Sequence, residues 1–314
     1  MIHVALATDR AYVPYCGVAA LSLAEARGDS PLTIHLLHGD DVGQNEVGAL
    51  TSVASRPGVD VVAHRIDAAA VAELPSVDRF GPVIWFRLLV PELLSDCGRV
   101  VYLDADTFAV APLEDLWSAD LGGAAVAAVR NVVHPEHRHR GSALGLPSMS
   151  AYFNSGVLLF DLERVRSAGL MAQARDVACR QGDRLLWPDQ DALNVAFAGR
   201  WLPVHPRWNC MNSLRVWRPW AEETLGADAV AEALADPAVV HFEGPALSKP
   251  WHYLSDHPLR ERYRSVLDRT PWADTPLADR TVATRFIGRL PERRQRDAFG
   301  QLLRMRALRA KRRR

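Results

Sequence analysis

The chain has 314 residues with 37 basic and 37 acidic side chains, so its formal net charge is zero. That length suits one large α/β domain or two small ones, with ample core, and no apolar run approaches the ~18 residues needed to cross a bilayer. The start, MIHVALATDR, has no basic leader segment and meets Asp9 too soon for a signal peptide. Cys16, Cys97, Cys179 and Cys210 form no CxxC and no metal-binding spacing, and read as reduced thiols in a cytoplasmic protein.

The zero is a sum of opposites. Residues 281–314 hold 12 Arg/Lys against 2 Asp/Glu, a net of +10, which leaves the rest at −10. Among the 37 basic residues only Lys249 and Lys311 are lysines. A GC-rich genome favours Arg codons, so a lysine kept against that bias points to a position needing an ammonium.

Residues 2–7 (IHVALA) read as a buried strand closing at Thr8-Asp9. Helical spacing over 15–27, a strand over 32–37, a helix over 44–55 and a strand over 59–65 follow. Such alternation builds a parallel, doubly wound sheet. Residues 83–94 read as a helix carrying Arg87, interrupted near Pro91. Residues 100–103 are the next strand, with Asp104 at the carboxyl end where such sheets bind ligands; Asp9 occupies a similar end.

The run VVYLDADTFAV then poses a physical problem, because an unpaired buried carboxylate is expensive. On a strand, residues i and i+2 point the same way. Asp104 and Asp106 would therefore converge, and a divalent cation is a natural occupant of that point. The plain alternative is a strand-end turn with two solvated aspartates.

Further on, 124–129 reads as a strand and 131–150 as a mobile polar loop. The strand at 152–160 (YFNSGVLLF) holds Asn154, Ser155 and Gly156 in its interior, a sign of a ligand or a close backbone approach. Residues 162–180 are helical, 189–197 opens another helix with acids in its first turn, and a short strand at 239–242 carries His241. The Arg-rich tail after about residue 275 looks separate from the core.

LDAD at 103–106, FNSG at 153–156, PDQD at 188–191 and HFEGPALSKPW at 241–251 occur in this order behind the N-terminal strand. With them, residues 1–265 resemble the family 8 glycosyltransferases. These are retaining GT-A enzymes that include bacterial lipopolysaccharide galactosyl- and glucosyltransferases and glycogenin. The resemblance implies an α/β GT-A catalytic domain over 1–270, with a Rossmann-like, mainly parallel central sheet flanked by helices. A helical basic extension would occupy 271–314.

It further implies transfer of galactose or glucose from a UDP-sugar to a glycan, a glycolipid or a small-molecule acceptor such as a secondary metabolite. Asp104, Asp106 and His241 would hold Mn²⁺ or Mg²⁺, with the donor diphosphate completing the shell. Ala7, Asp9 and Tyr12 match nucleotide-contacting positions, Tyr12 stacking on uracil. Arg87, Ala105, Gly244 and Lys249 match donor-binding positions, with Lys249 on the diphosphate. Asn154 and Asp189 match positions on the transferred sugar, and Gln190 the residue on the β-face of the anomeric carbon. A glutamine amide is a poor nucleophile, which favours front-face attack; a covalent intermediate would need a carboxylate, Asp189 or Asp191. Two departures stand out: GPALSK is two residues longer than the family's GxxK, and Ala11 replaces a frequent polar contact.

Two rivals remain at this point. VVYLDADT also fits the first motif of haloacid dehalogenase-like phosphatases, and a non-catalytic nucleotide-sugar-binding module would need the same binding groups. The loop 131–150 and Trp208–Asn212 are the expected acceptor walls. In the tail, Phe299, Leu302, Leu303 and Leu308 at helical spacing predict an amphipathic helix starting near Asp297. A basic amphipathic helix reads as an anchor to an anionic membrane, which would make the protein cytoplasmic and peripheral at the inner face. Its alternatives are a solubilising tail, a nucleic-acid arm, or a helix docked on the acidic body. No nucleic-acid partner is expected.

Overall fold

The structure, a computed structural model, describes residues 1–75, 81–244 and 246–311; of 183, 246, 292, 293 and 307–311 it describes the backbone alone. Its strands are β1 (Ile2–Thr8), β2 (Leu32–His38), β3 (Val59–Arg65), β4 (Arg99–Asp104), β5 (Thr107–Ala109), β6 (Val126–Arg130), β7 (Phe153–Asp161), β8 (Trp201–Pro203), β9 (Cys210–Met211) and β10 (Val239–His241). The larger sheet has the order β3-β2-β1-β4-β7-β6-β8. β2 is buried along its whole length and β1 almost so, as expected of strands covered on both faces.

β1 pairs in parallel with β2 and β4, and β2 with β3. β7 runs antiparallel to both β4 and β6, so the sheet is mainly parallel, as read, with one reversed strand. Asp104 lies opposite Ala7, which sets the carboxyl ends of β1 and β4 side by side. A second sheet, β5-β10-β9, places His241 opposite Thr107. It delivers an imidazole from far along the chain to the turn that follows β4.

Some local expectations change. Residues 82–93 form a 3₁₀ helix, Pro82–Leu89, followed by a single α-turn, Val90–Leu93. Pro91 lacks an N–H and fits only the first turn of a helix, so the two segments cannot merge. The expected helix 162–180 divides into Leu162–Ser167 and Leu170–Gln181 at Gly169, whose φ of 60° suits glycine. The loop 131–150 is partly ordered into short turns, Pro135–His137 and Arg140–Ala143.

The tail is not separate from the body. Its helix, Glu292–Lys311, starts directly after Pro291 rather than near Asp297. Phe299 is only 2% exposed and packs with Leu254 and Ile287, with Leu302 beside them. Arg296 pairs with Asp256 and Arg306 with Asp279. Burying a Phe side chain is worth about 1.5–3 kcal/mol, against about 0–1 for each exposed ion pair. The apolar contact therefore seats the helix and the charges align it. Leu308 lies outside the residues whose side chains are described. Upstream, Trp272 lies against Gly17 of the helix Val13–Ala26, where any Cβ would sit 2.2 Å from the indole.

Candidate active site

Asp104 ends β4, Ala105 and Asp106 form a turn, and Thr107 begins β5. The turn, pinned by a hydrogen bond from Thr107 Oγ1 to the Asp104 carbonyl (2.8 Å), brings the two carboxylates together. Strand alternation, the expected reason, does not. His241 completes the group: its Nε2 is 3.2 Å from Asp106 and 3.8 Å from Asp104. The ligating atoms of all three residues lie within 4.8 Å of one another.

Whether these groups fit a divalent ion depends on the histidine tautomer. His241 Nδ1 lies 3.0 Å from Asn209 Oδ1. That oxygen can only accept, so Nδ1 carries a proton and Nε2, which faces the carboxylates, is the ring nitrogen a metal would take. Asn209 is itself held: its Nδ2 donates to Asn154 Oδ1 (2.8 Å), and Asn154 Nδ2 donates to Asn131 Oδ1 (3.1 Å). Two carboxylates and one imidazole, O/N donors without sulfur, suit Mn²⁺ or Mg²⁺ rather than a thiophilic ion. The site also needs Gly156. A Cβ there would lie 2.1 Å from His241 Cε1, which accounts for the glycine inside β7.

Two fixed cations face the carboxylates. Arg87 is 4% exposed. It donates to Asp104 (2.6 Å) and the Ser155 carbonyl (2.8 Å), and pairs with Asp189 (3.1 Å). Burial alone would lower its pKa, but Asp104 and Asp189 raise it. Lys249 bonds Asp106 and lies 5.6 Å above the Trp251 ring. The longer GPALSK loop thus still brings the ammonium to the carboxylates. It does so through a 3₁₀ turn, Ala246–Ser248, tied down where Asn212 Nδ2 donates to the Ser248 carbonyl (3.2 Å).

The charges shift together. Burial would raise Asp106, yet Lys249 and His241 hold it well below the usual carboxylate range. Burial would lower His241, yet Asp106 raises it. Asp189 is raised by burial, which Arg87 only partly offsets.

The PDQD segment opens the helix Pro188–Ala196. Gln190 accepts from the Ser155 N–H at Oε1 (3.0 Å) and donates from Nε2 to Tyr152 Oη (3.1 Å). Tyr152 in turn donates to Asp191 (2.6 Å). Because a carboxylate only accepts, this chain has one direction and fixes the amide's orientation. Asp191 is fully buried and also accepts from Arg140 and from the Leu186 and Trp187 N–H groups. It locks the 131–150 loop to the helix, and its oxygens are too occupied to serve as the nucleophile considered from sequence.

Asp9 caps the 3₁₀ turn Arg10–Tyr12, accepting from the Tyr12 N–H (2.9 Å). Tyr12 is half-buried, edge-on to Tyr15 and Trp251. Ala7 and Ala105 are buried at the two strand ends, and Gly244, with φ 84°, turns the chain after His241. The expected acceptor wall Trp208–Asn212 is buried instead: Cys210 and Met211 join the core, and Asn209 and Asn212 position His241 and the lysine loop. Asn209, Tyr152 and Arg140 were missed as supports of the site. The one sequence signal was a pair of asparagines in an otherwise apolar run.

Residues 3–255 match the model of the family described as Glycosyl transferase family 8. General stress protein A of Bacillus subtilis is 25% identical over 277 residues, 87% of this chain and 95% of the relative. Lipopolysaccharide 1,2-glucosyltransferase of Escherichia coli K12 is 25% identical over 280 residues, 88% of this chain and 81% of the relative. Among solved structures, the galactosyltransferase LgtC in complex with donor and acceptor sugar analogs superposes with a TM-score of 0.71 at 23% identity, covering 86% of this chain and 96% of that one. The shared architecture is the GT-A fold.

Proposed function

Because the chain belongs to glycosyl transferase family 8, we propose that this glycosyltransferase moves galactose or glucose from a UDP-sugar, with retention and with a divalent metal, Mn²⁺ or Mg²⁺. The observation that carries the reading is the Asp104–Asp106–His241 cluster, with the histidine tautomer set by Asn209. A divalent ion held there would act as a Lewis acid on the leaving diphosphate. Arg87 and Lys249 supply fixed positive charge beside it, which needs no reorganisation as negative charge develops. Asp9, Tyr12, Ala7, Ala105 and Gly244 lie at or just beyond the ends of β1, β4 and β10, the last two of which carry Asp104 and His241, and are assigned to the nucleotide and diphosphate, with Asn154 and Asp189 assigned to the sugar. Gln190, held by Ser155 and Tyr152, is assigned to the anomeric centre. Membership of the family sets aside the phosphatase reading of LDADT and the non-catalytic module.

Lipopolysaccharide glucosyl- and galactosyltransferases among the relatives support a glycan or glycolipid acceptor. Screening UDP-sugars for hydrolysis with and without chelator tests donor and metal together. We expect turnover of UDP-glucose or UDP-galactose that excess EDTA abolishes and Mn²⁺ restores; full activity in chelator would refute the metal. NMR of the product should show an α-linkage. Gln190→Ala should lower kcat by about 10²-fold, the scale of a lost positioned polar group, while UDP affinity changes less than twofold. A variant that loses UDP binding instead would move Gln190 to the nucleotide.

Among the described residues no helix is long and apolar enough to cross a membrane. Peripheral attachment is assigned to the C-terminal segment, because docking leaves Val282, Phe286, Leu303 and Met305 exposed amid arginines. Full-length protein should sediment with anionic but not neutral vesicles, in a salt-sensitive way, and a chain ending at residue 280 should not. Equal behaviour of the two chains would remove the anchor and leave docking as the helix's whole role.

A further inference from the structure

We propose that His3, His35 and Cys97 form a second metal site, for a borderline-soft ion such as Zn²⁺, between the start of β1, the middle of β2 and the entry to β4. His3 lies at the start of β1, His35 within β2, and Cys97 in the turn leading into β4. Their ligating atoms all lie within 4.8 Å of one another. His3 Nδ1 and His35 Nε2 are 3.1 Å apart. Two imidazoles on one tetrahedral zinc, with Zn–N of about 2.0–2.1 Å, need their nitrogens about 3.4 Å apart, so little movement is required.

The site has a supporting shell. His35 Nδ1 faces His64 Nε2 at 3.0 Å. With the proton on His35 Nδ1 donated to His64, Nε2 is free to ligate, the usual arrangement behind a metal-bound histidine. His35 is 6% exposed, so its ring is held in place and shielded from water. Coordination by Cys97 releases the thiol proton to solvent. Three protein ligands leave a fourth position for water.

The donor set also separates this site from the cleft. Nitrogen and sulfur favour Zn²⁺, Co²⁺ or copper, whereas the O/N set of Asp104, Asp106 and His241 suits Mn²⁺ and Mg²⁺. From His3 to Ala7, opposite Asp104, is four residues of strand, about 13 Å. The ion would clip β1, β2 and the entry to β4 together. Spacing along the chain hides the site because its ligands come from three separate segments.

Co²⁺ titration of the full-length protein reads this site directly, since only a thiolate gives a sulfur-to-Co²⁺ charge-transfer band. We expect one equivalent with that band, displaced by Zn²⁺ and not by Mg²⁺. Cys97→Ser should abolish the band while Cys179→Ser keeps it, and His64→Ala should weaken binding ~10–100-fold. As a check independent of any variant's folding, Zn²⁺ should protect Cys97 but not Cys179 from alkylation in the wild-type chain. Absence of the band, its survival in Cys97→Ser, or equal alkylation with and without Zn²⁺ would overturn the proposal and leave a hydrogen-bonded histidine chain.

Discussion

Gly156→Ala should slow sugar transfer by about a hundredfold in a protein that still folds. The added Cβ would sit 2.1 Å from Cε1, 2.6 Å from Nδ1 and 2.9 Å from Nε2 of His241. The imidazole has nowhere to retreat, because it is 4% exposed and its Nδ1 is tied to Asn209. Either the ring moves off the carboxylates or β7 bends away. Overpacking of this kind costs about 1–3 kcal/mol of stability, which a domain of this size survives. Displacing a catalytic group by about 1 Å costs on the order of 10² in rate. The measurement is kcat/KM against Mn²⁺ concentration, with thermal unfolding alongside. Wild-type turnover in Gly156→Ala would detach His241 from the chemistry.

Asp106→Asn should lose both activity and stability, for one electrostatic reason. Lys249 and Asp106 have side chains 14% and 13% exposed, and His241 shares the same carboxylate. Removing the charge of Asp106 leaves the buried Lys249 ammonium without its counter-ion, worth about 3–5 kcal/mol. In urea denaturation of the metal-free protein we expect a destabilisation of that order. Adding Lys249→Met should recover much of it, because the stranded ammonium is gone, while transfer stays absent. If Asp106→Asn instead left the unfolding midpoint unchanged, Lys249 would be solvated and its pairing in the cleft incidental.

Most of the sheet and the four site segments are legible in the sequence, because each is a local pattern. IHVALA and VVYLD are apolar runs that end in polar residues at strand ends. Strand-helix alternation carries the sheet's parallel half, and Asp104, Gln190, His241 and Lys249 were placed on the elements where they stand. The break near Pro91 is legible too, though not the 3₁₀ form of the segment before it, and where local chemistry competed the structure differs: the tail helix starts directly after Pro291 and not near Asp297.

The tertiary structure decided what each polar group is for. Asn209 looked like a wall and proved to set the tautomer of a histidine 32 residues away; Lys249 reaches a carboxylate 143 residues back. Asp191 looked like a spare carboxylate and is saturated by Tyr152, Arg140 and two backbone N–H groups. Spacing could not say which apolar residues of the basic tail meet the body: Phe299 is buried against Leu254 and Ile287, while Leu303 and Met305 stay exposed. Periodicity reports which face of an element avoids water, a property of neighbours in the chain. A hydrogen-bond partner or a steric limit such as Gly156 against His241 depends on segments that only the closed fold brings within a few ångströms.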